Sequence, residues 1–186
     1  MKGFAVKKAP HPTLLLLLLS LLFHMGFSHK KLSRDTAPCK RFVLYYHNVM
    51  FNGTNIANAT AATATNATAL GDYFFGQLIV FDDPMTRDQN LLSPPVARAQ
   101  GFFFFDMKTT YNAWFAYTII FNSTKHKGTL NIMGADLIAN ETRDLSVLGG
   151  TGDFFMARGV ATIRTEVVEG LDYVLLQMDV KLYECY

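Results

Sequence analysis

Tyr173-Val174-Leu175-Leu176-Gln177-Met178-Asp179-Val180-Lys181-Leu182-Tyr183 decides the fold class. Val174, Leu176, Met178, Val180 and Leu182 fall on one side of a period of two, and Gln177, Asp179 and Lys181 on the other. That alternation is the mark of a strand with one buried face. Phe42, Leu44, Tyr46 and Asn48 make a similar face near the other end of the chain. Between them lie strand candidates over 73–81, 97–107, 113–121, 128–136, 142–148 and 154–165. Asp82-Asp83-Pro84, Lys125-His126-Lys127-Gly128 and Glu169-Gly170 read as turns between them. No stretch of useful length has a 3.6-residue apolar period. The pattern predicts an all-β fold of eight antiparallel strands. Closing such a sheet into a barrel removes its open edges, whereas the alternation alone also allows a β-sandwich.

Residues 1–28 are expected to be a secretory signal peptide, leaving one domain over 29–186. Lys2, Lys7 and Lys8 precede the leucine-rich core 14–23, and Gly26 and Ser28 are small residues before a cleavage point. The apolar run is about 10 residues, half of the ~20 that a membrane span requires. The whole chain has 17 basic and 15 acidic residues, a net charge of +2. Removing the three lysines of the leader leaves fourteen against fifteen, a net charge of −1. Such a balance favours neither nucleic acid nor an anionic membrane surface as a partner.

Two cysteines, Cys39 and Cys185, bracket the domain. In an oxidising compartment they are expected to pair, tying the first strand to the last. In the chain-entropy description a loop of that length is worth about 5 kcal/mol. Asn52, Asn58, Asn66, Asn122 and Asn140 each open an N-x-S/T sequon and are expected glycosylation sites, hence surface. Three of them lie in 52–70, an Ala/Thr/Asn-rich segment without apolar periodicity that reads as a long surface loop.

Asp136 and Arg143 form the sharpest candidate site. They flank the turn around 138–141, and a symmetric hairpin register sets Asp136 opposite Arg143, Gly134 opposite Leu145 and Ile132 opposite Val147. One face then reads as an apolar wall with an ion pair near its mouth. If exposed at a barrel rim, that pair contributes about 0.2–1 kcal/mol and serves structure alone. Gly149-Gly150-Thr151-Gly152 lacks the spacing of a phosphate-binding loop and is expected to be a tight hairpin turn. Trp114 is expected in the core. No histidine has metal-ligand spacing with a partner, no nucleophile–base set stands out, and no cofactor motif is present. The expectation is therefore no metal and no cofactor.

Three stretches occur in a fixed order: Pro95-Val96-Ala97-Arg98-Ala99-Gln100-Gly101, then Gly149-Gly150-Thr151-Gly152-Asp153-Phe154-Phe155-Met156-Ala157-Arg158-Gly159, then Lys181-Leu182-Tyr183-Glu184-Cys185-Tyr186. From about Cys39 to Tyr186 the chain resembles the plant dirigent proteins, the lignan-forming, pinoresinol-type members in particular. That resemblance implies an eight-stranded antiparallel barrel, lipocalin- or allene oxide cyclase-like, assembled as a trimer or dimer. It implies secretion to the apoplast or cell wall. It also implies that the protein gives regio- and stereoselectivity to the coupling of phenolic radicals, such as those of coniferyl alcohol, made by a separate laccase or peroxidase. Asp136 and Arg143 match the family's cavity Asp and Arg, the Asp being assigned a proton-transfer role. Asn48, Phe103, Phe105, Ile132, Leu145, Val174, Leu176 and Met178 are the expected substrate-contacting residues.

The chain departs from the family pattern at two places. Furofuran-forming members carry an Asp after the histidine of the first strand, where this chain has Asn48 after His47. The family tends to have tyrosines where Phe103 and Phe105 stand. An amide cannot deliver an acid proton, and two phenol hydroxyls are missing. Guided biaryl coupling of a bulkier phenol, such as a terpenoid naphthol, is thus a second expectation. A plain carrier of an apolar ligand is a third, and an independent cyclase of the allene oxide cyclase type a fourth.

Overall fold

The computed structural model describes residues 37–186. The expected signal peptide lies outside the described residues. Nine strands follow in order: β1 Lys40–Val49, β2 Ala61–Thr65, β3 Leu78–Thr86, β4 Ala97–Phe105, β5 Ala113–Asn122, β6 Lys127–Asp136, β7 Thr142–Gly152, β8 Arg158–Glu169 and β9 Tyr173–Glu184. The sheet runs β1-β9-β8-β7-β6-β5-β4-β3-β2, and β1 also pairs with β3. Eight long antiparallel strands therefore close into a barrel. The alternation of β9 is realised: Leu176, Met178, Val180 and Leu182 are buried in the interior.

The closing seam has two halves. Tyr45 and Tyr46 of β1 pair with Thr86 and Met85 of β3. Towards the start of β3, β1 leaves and β2 takes its place, with Ala61 opposite Phe81 and Thr63 opposite Ile79. Two expectations change here. Segment 52–70 is not all loop, because β2 lies within it. Its Ala/Thr composition gives no hydrophobic contrast, so no period is visible. Asp82-Asp83-Pro84 is not a turn but the middle of β3, with Asp83 opposite Ala99 and Pro84 opposite Arg98. Neighbouring strands override the local turn chemistry of that tripeptide.

One end of the barrel is plugged. Phe42, Phe121, Phe154 and His126 pack together, with Phe121 and Phe154 ring centroids 4.6 Å apart. Lys40 Nζ sits 4.8 Å over the Phe154 ring. The Gly149–Gly152 run is the end of β7, not the hairpin turn, which falls at 153–156. A Cβ on Gly150 would strike the Phe154 and Thr129 carbonyl oxygens, so the close crossing under Phe154 requires glycine. Cys39 and Cys185 are bonded, with Cα atoms 6.3 Å apart, and tie the start of β1 to the end of β9.

The outer face is also partly apolar. Val80, Phe102 and Met133 lie in register across β3, β4, β5 and β6, with Ala116 between the latter two, and all three are exposed. Trp114 is on this outer side against Phe104, ring centroids 5.7 Å apart, and not in the core. All five sequon asparagines are exposed.

Candidate functional site

The other end of the barrel holds a cavity of about 670 Å³ with mainly apolar walls. The end of β1, the starts of β3 and β5, the β6–β7 turn and the β8–β9 turn ring its mouth. Phe103 and Phe105 of β4 project into it, as do Val174 and Leu176 of β9. Phe103 stacks on Phe115 with centroids 4.9 Å apart, and meets Phe105 edge-on at 5.7 Å. These rings form a flat-sided apolar slot that suits another aromatic ring.

Asp136 ends β6 and Arg143 begins β7, and both line the cavity. Arg143 Nε donates to Asp136 Oδ1 at 2.5 Å. The register expected for this hairpin holds at Ile132 and Val147. The side chains of Arg143 and Asp136 are only 2% and 6% exposed. The pair is thus not a solvated rim contact, and the small energy of an exposed pair does not apply. Burial pushes the Asp136 carboxyl up from its ordinary value, while the hydrogen bond and charge of Arg143 pull it down. Burial prevails. Asp136 is placed to exchange a proton with a ligand oxygen that enters beside it.

Asn48 also lines the cavity. Its Nδ2 donates to Asp83 Oδ2 at 2.8 Å. Tyr46 lines the cavity two residues earlier, and its buried hydroxyl has no hydrogen-bond partner among the described residues. Tyr117 points inward too, but its hydroxyl is directed to Met178 Sδ at 3.7 Å. Ile132, Leu145 and Met178 have the predicted inward orientation, yet they do not reach the cavity. They are fully buried in the packed half of the barrel. His47 faces outward and is bonded to the Tyr173 hydroxyl at 2.8 Å and to Thr86 Oγ1 at 2.7 Å. Those two contacts account for it structurally. Among the described residues no cluster of three or more His, Cys, Asp or Glu side chains could hold a metal ion.

A closed barrel whose cavity is lined by Asp136 and Arg143 is the arrangement that the resemblance implies. The Dirigent-like protein family model matches residues 39–183. The chain belongs to the dirigent family. Dirigent protein 5 of Arabidopsis thaliana is 64% identical over 149 residues, 80% of this chain and 82% of that relative. A dirigent protein of Sinopodophyllum hexandrum is 51% identical over 159 residues, 82% of each. Among solved structures, the pterocarpan synthase dirigent protein PsPTS1 aligns with a TM-score of 0.70 over 79% of this chain and 96% of that one, at 20% identity. GePTS1, another pterocarpan synthase dirigent protein, gives 0.69 over 77% and 83% at 22% identity. At such identities the likeness is one of fold, the same closed barrel.

Asp83, Phe115 and Thr60 were not among the residues singled out for the site from the sequence. Phe115 shares the inward face of β5 with Tyr117 and could have been found by alternation. Asp83 had no such signal, because Asp-Asp-Pro reads as a turn.

Proposed function

We infer that this dirigent-family chain is a secreted guide for the bimolecular coupling of phenoxy radicals. A laccase or peroxidase makes the radicals, from a phenylpropanoid such as coniferyl alcohol. The cavity holds one radical with a single face open, so coupling yields an optically active lignan of the pinoresinol kind. One observation carries this reading: an aromatic-walled cavity of about 670 Å³ with a buried Asp136–Arg143 pair among its lining residues. The rings orient a phenol by stacking, and the pair engages its oxygen. Selecting one face by 20:1 requires only ~1.8 kcal/mol between competing transition states. Orientation in a shaped pocket is sufficient for that.

The protein itself is expected not to oxidise phenols. Its residues bind, orient and move protons, and the external oxidase removes the electrons. The exposed Val80, Phe102 and Met133 row supports self-association into a trimer or dimer. Secretion to the apoplast accords with the leader-like sequence 1–28 and with the Cys39–Cys185 bond. Glycosylation at Asn52, Asn58, Asn66, Asn122 and Asn140 accords with the exposure of all five.

A second reading keeps the guide role but assigns biaryl coupling of a bulkier phenol. Asn48 at the position of the family's acid, and phenylalanine at 103 and 105, favour it, since biaryl formation ends in proton loss rather than acid-assisted ring closure. Laccase-driven coupling of a panel of phenols, followed by chiral chromatography, separates the two readings. Enantiomeric excess with coniferyl alcohol supports lignan formation, and excess with naphthols alone supports biaryl formation. Tight binding of a phenol with racemic products throughout would make the protein a carrier.

A further inference from the structure

We propose that Asp83 acts as the second proton reservoir of this cavity, working through the Tyr46 hydroxyl and standing in for the acid absent at Asn48. The inference rests on the lignan-coupling reading above. Its geometry begins at the seam. Asp83 lies between the stretch of β3 that pairs with β1 and the stretch that pairs with β2. The strand alternation turns its side chain inward, and it is fully buried. Thr60 Oγ1 donates to Oδ1 at 2.5 Å and Asn48 Nδ2 to Oδ2 at 2.8 Å. Among the described residues it makes no salt bridge.

Neutral groups dominate its surroundings. From β1 it meets Tyr46 and Asn48, while His47 points to the outer side. From the segment just before β2 it meets Thr60, and β4 places Ala99 opposite it. Asp82, its neighbour in β3, is exposed and held by Arg98 of β4. A buried carboxyl with no cation resists ionisation. Burial pushes Asp83 up to about 7; the hydrogen bonds from Thr60 and Asn48 oppose the rise and the Asp82 charge adds to it.

Tyr46 supplies the route to the cavity. It stands beside Asp83 and Asn48, lines the cavity, and has a buried hydroxyl without a hydrogen-bond partner. A protonated Asp83 can donate to the Tyr46 oxygen, leaving the phenol hydrogen free for a ligand. Burial, followed by the charge of Asp83, holds the Tyr46 hydroxyl well above its ordinary value. Tyr46 therefore passes a proton on only as it receives one.

The placement relative to Asp136 follows from the strand order. From β1 to β7 is three strand steps through β9 and β8, and from β3 to β6 is three steps through β4 and β5. The β1–β3 seam thus lies across the barrel from the β6–β7 hairpin that holds Asp136. Coupling two phenylpropanoid radicals at their side chains leaves two quinone methides, one at each end of the product. At each, a side-chain hydroxyl oxygen adds to the methide carbon and forms the C–O bond. The π electrons move to the ring oxygen, which takes up a proton and becomes a phenol, while the attacking hydroxyl loses one. No oxidant is consumed. Asp136 serves one ring oxygen, and Tyr46, reloaded by Asp83, serves the other. The proton shed by the hydroxyl returns to Asp83 through water.

The test compares wild type, Asp83→Asn and the exchanged variant Asn48→Asp/Asp83→Asn, with laccase and coniferyl alcohol from pH 5 to 8. In Asp83→Asn, with Asn48 turned to present its oxygen, the amide can still bridge Asn48 and Thr60, so the seam is retained. Coupling selectivity should persist in that variant, while the yield of doubly closed product at pH 6 falls about 10-fold or more and loses its decline near pH 7. The exchanged variant should recover closure. Carbon-13 titration of the aspartate carboxyls should show one resonance, absent in Asp83→Asn, that titrates near neutrality. Unchanged closure and pH profile in Asp83→Asn would overturn the inference, as would a carboxyl titrating in the ordinary range. Racemic products from wild type would instead overturn the coupling reading and the relay with it.

Discussion

Asp136 and Asp83 are two buried carboxyls on opposite walls of one barrel, and they are held in opposite ways. Asp136 has a cation within hydrogen-bond reach, the guanidinium of Arg143. Asp83 has Thr60 and Asn48, neither of which carries charge. Burial raises both carboxyls, but only at Asp136 does an opposite charge resist it. A paired carboxyl keeps a fixed geometry and lets a ligand oxygen be oriented by the guanidinium. An unpaired one, raised to about 7, keeps its proton through mildly acidic pH and can act as a donor there. On the proposed reading, the Asp136–Arg143 pair orients a ligand at one side of the cavity and Asp83, through Tyr46, supplies a proton at the other.

The largest effect should come from removing the cation. Arg143→Leu leaves Asp136 buried and unpaired, so the two carboxyls become alike. We expect a loss of about 3–5 kcal/mol in chemical denaturation at pH 8, shrinking at pH 5 where the carboxyl can take up a proton. Enantiomeric excess should vanish. Equal stability in variant and wild type at pH 8 would mean that the pair is not the buried contact described.

Next is Asp136→Asn. The amide oxygen still accepts from Arg143, so the fold should survive with a loss of about 1–3 kcal/mol. Stereoselective coupling should be damaged at every pH. Full selectivity in this variant would assign the guiding to pocket shape alone.

The stability of the protein against pH sharpens the contrast further. A carboxyl whose folded value is raised binds its proton more tightly in the folded state. Its contribution is complete below the ordinary carboxyl range and is lost as pH rises towards the folded value, here about 7 for Asp83. Between about pH 4 and 7 wild type should therefore lose stability by up to about 1.4 kcal/mol per pH unit from this group. Asp83→Asn should flatten that slope, as followed by urea denaturation at a series of pH values. A slope unchanged by the substitution would place the titration elsewhere.

Phe103→Tyr and Phe105→Tyr should have the smallest effects. Each restores a hydroxyl to the cavity wall without altering the seam or the ion pair. Stability should change by less than about 1 kcal/mol, and the preferred phenol in a competition assay should shift towards more polar substrates.

How much of this was legible in the sequence depends on the range of the contact. The alternation of β9 and the register of the β6–β7 hairpin are local, so the strand assignment and the Asp136–Arg143 juxtaposition follow from spacing alone. Depth is not local. Ile132, Leu145 and Met178 share the inward face, but a period of two does not say that only half of the barrel is hollow. Asp83 was hidden twice: its tripeptide has turn composition, and its partners arrive from β1 and the segment before β2 through a closure that no short-range pattern encodes. Strand β2 was missed because alanine and threonine give no contrast between faces.

The most direct test of the guiding role measures two quantities in one reaction. Laccase and coniferyl alcohol are held constant, the protein is added in increasing amounts, and oxygen uptake is recorded while the lignan products are resolved by chiral chromatography. Enantiomeric excess is expected to rise with protein and to saturate near stoichiometric radical capture, with oxygen uptake unchanged throughout. Racemic lignans at saturating protein, or oxygen uptake by the protein without laccase, would contradict it.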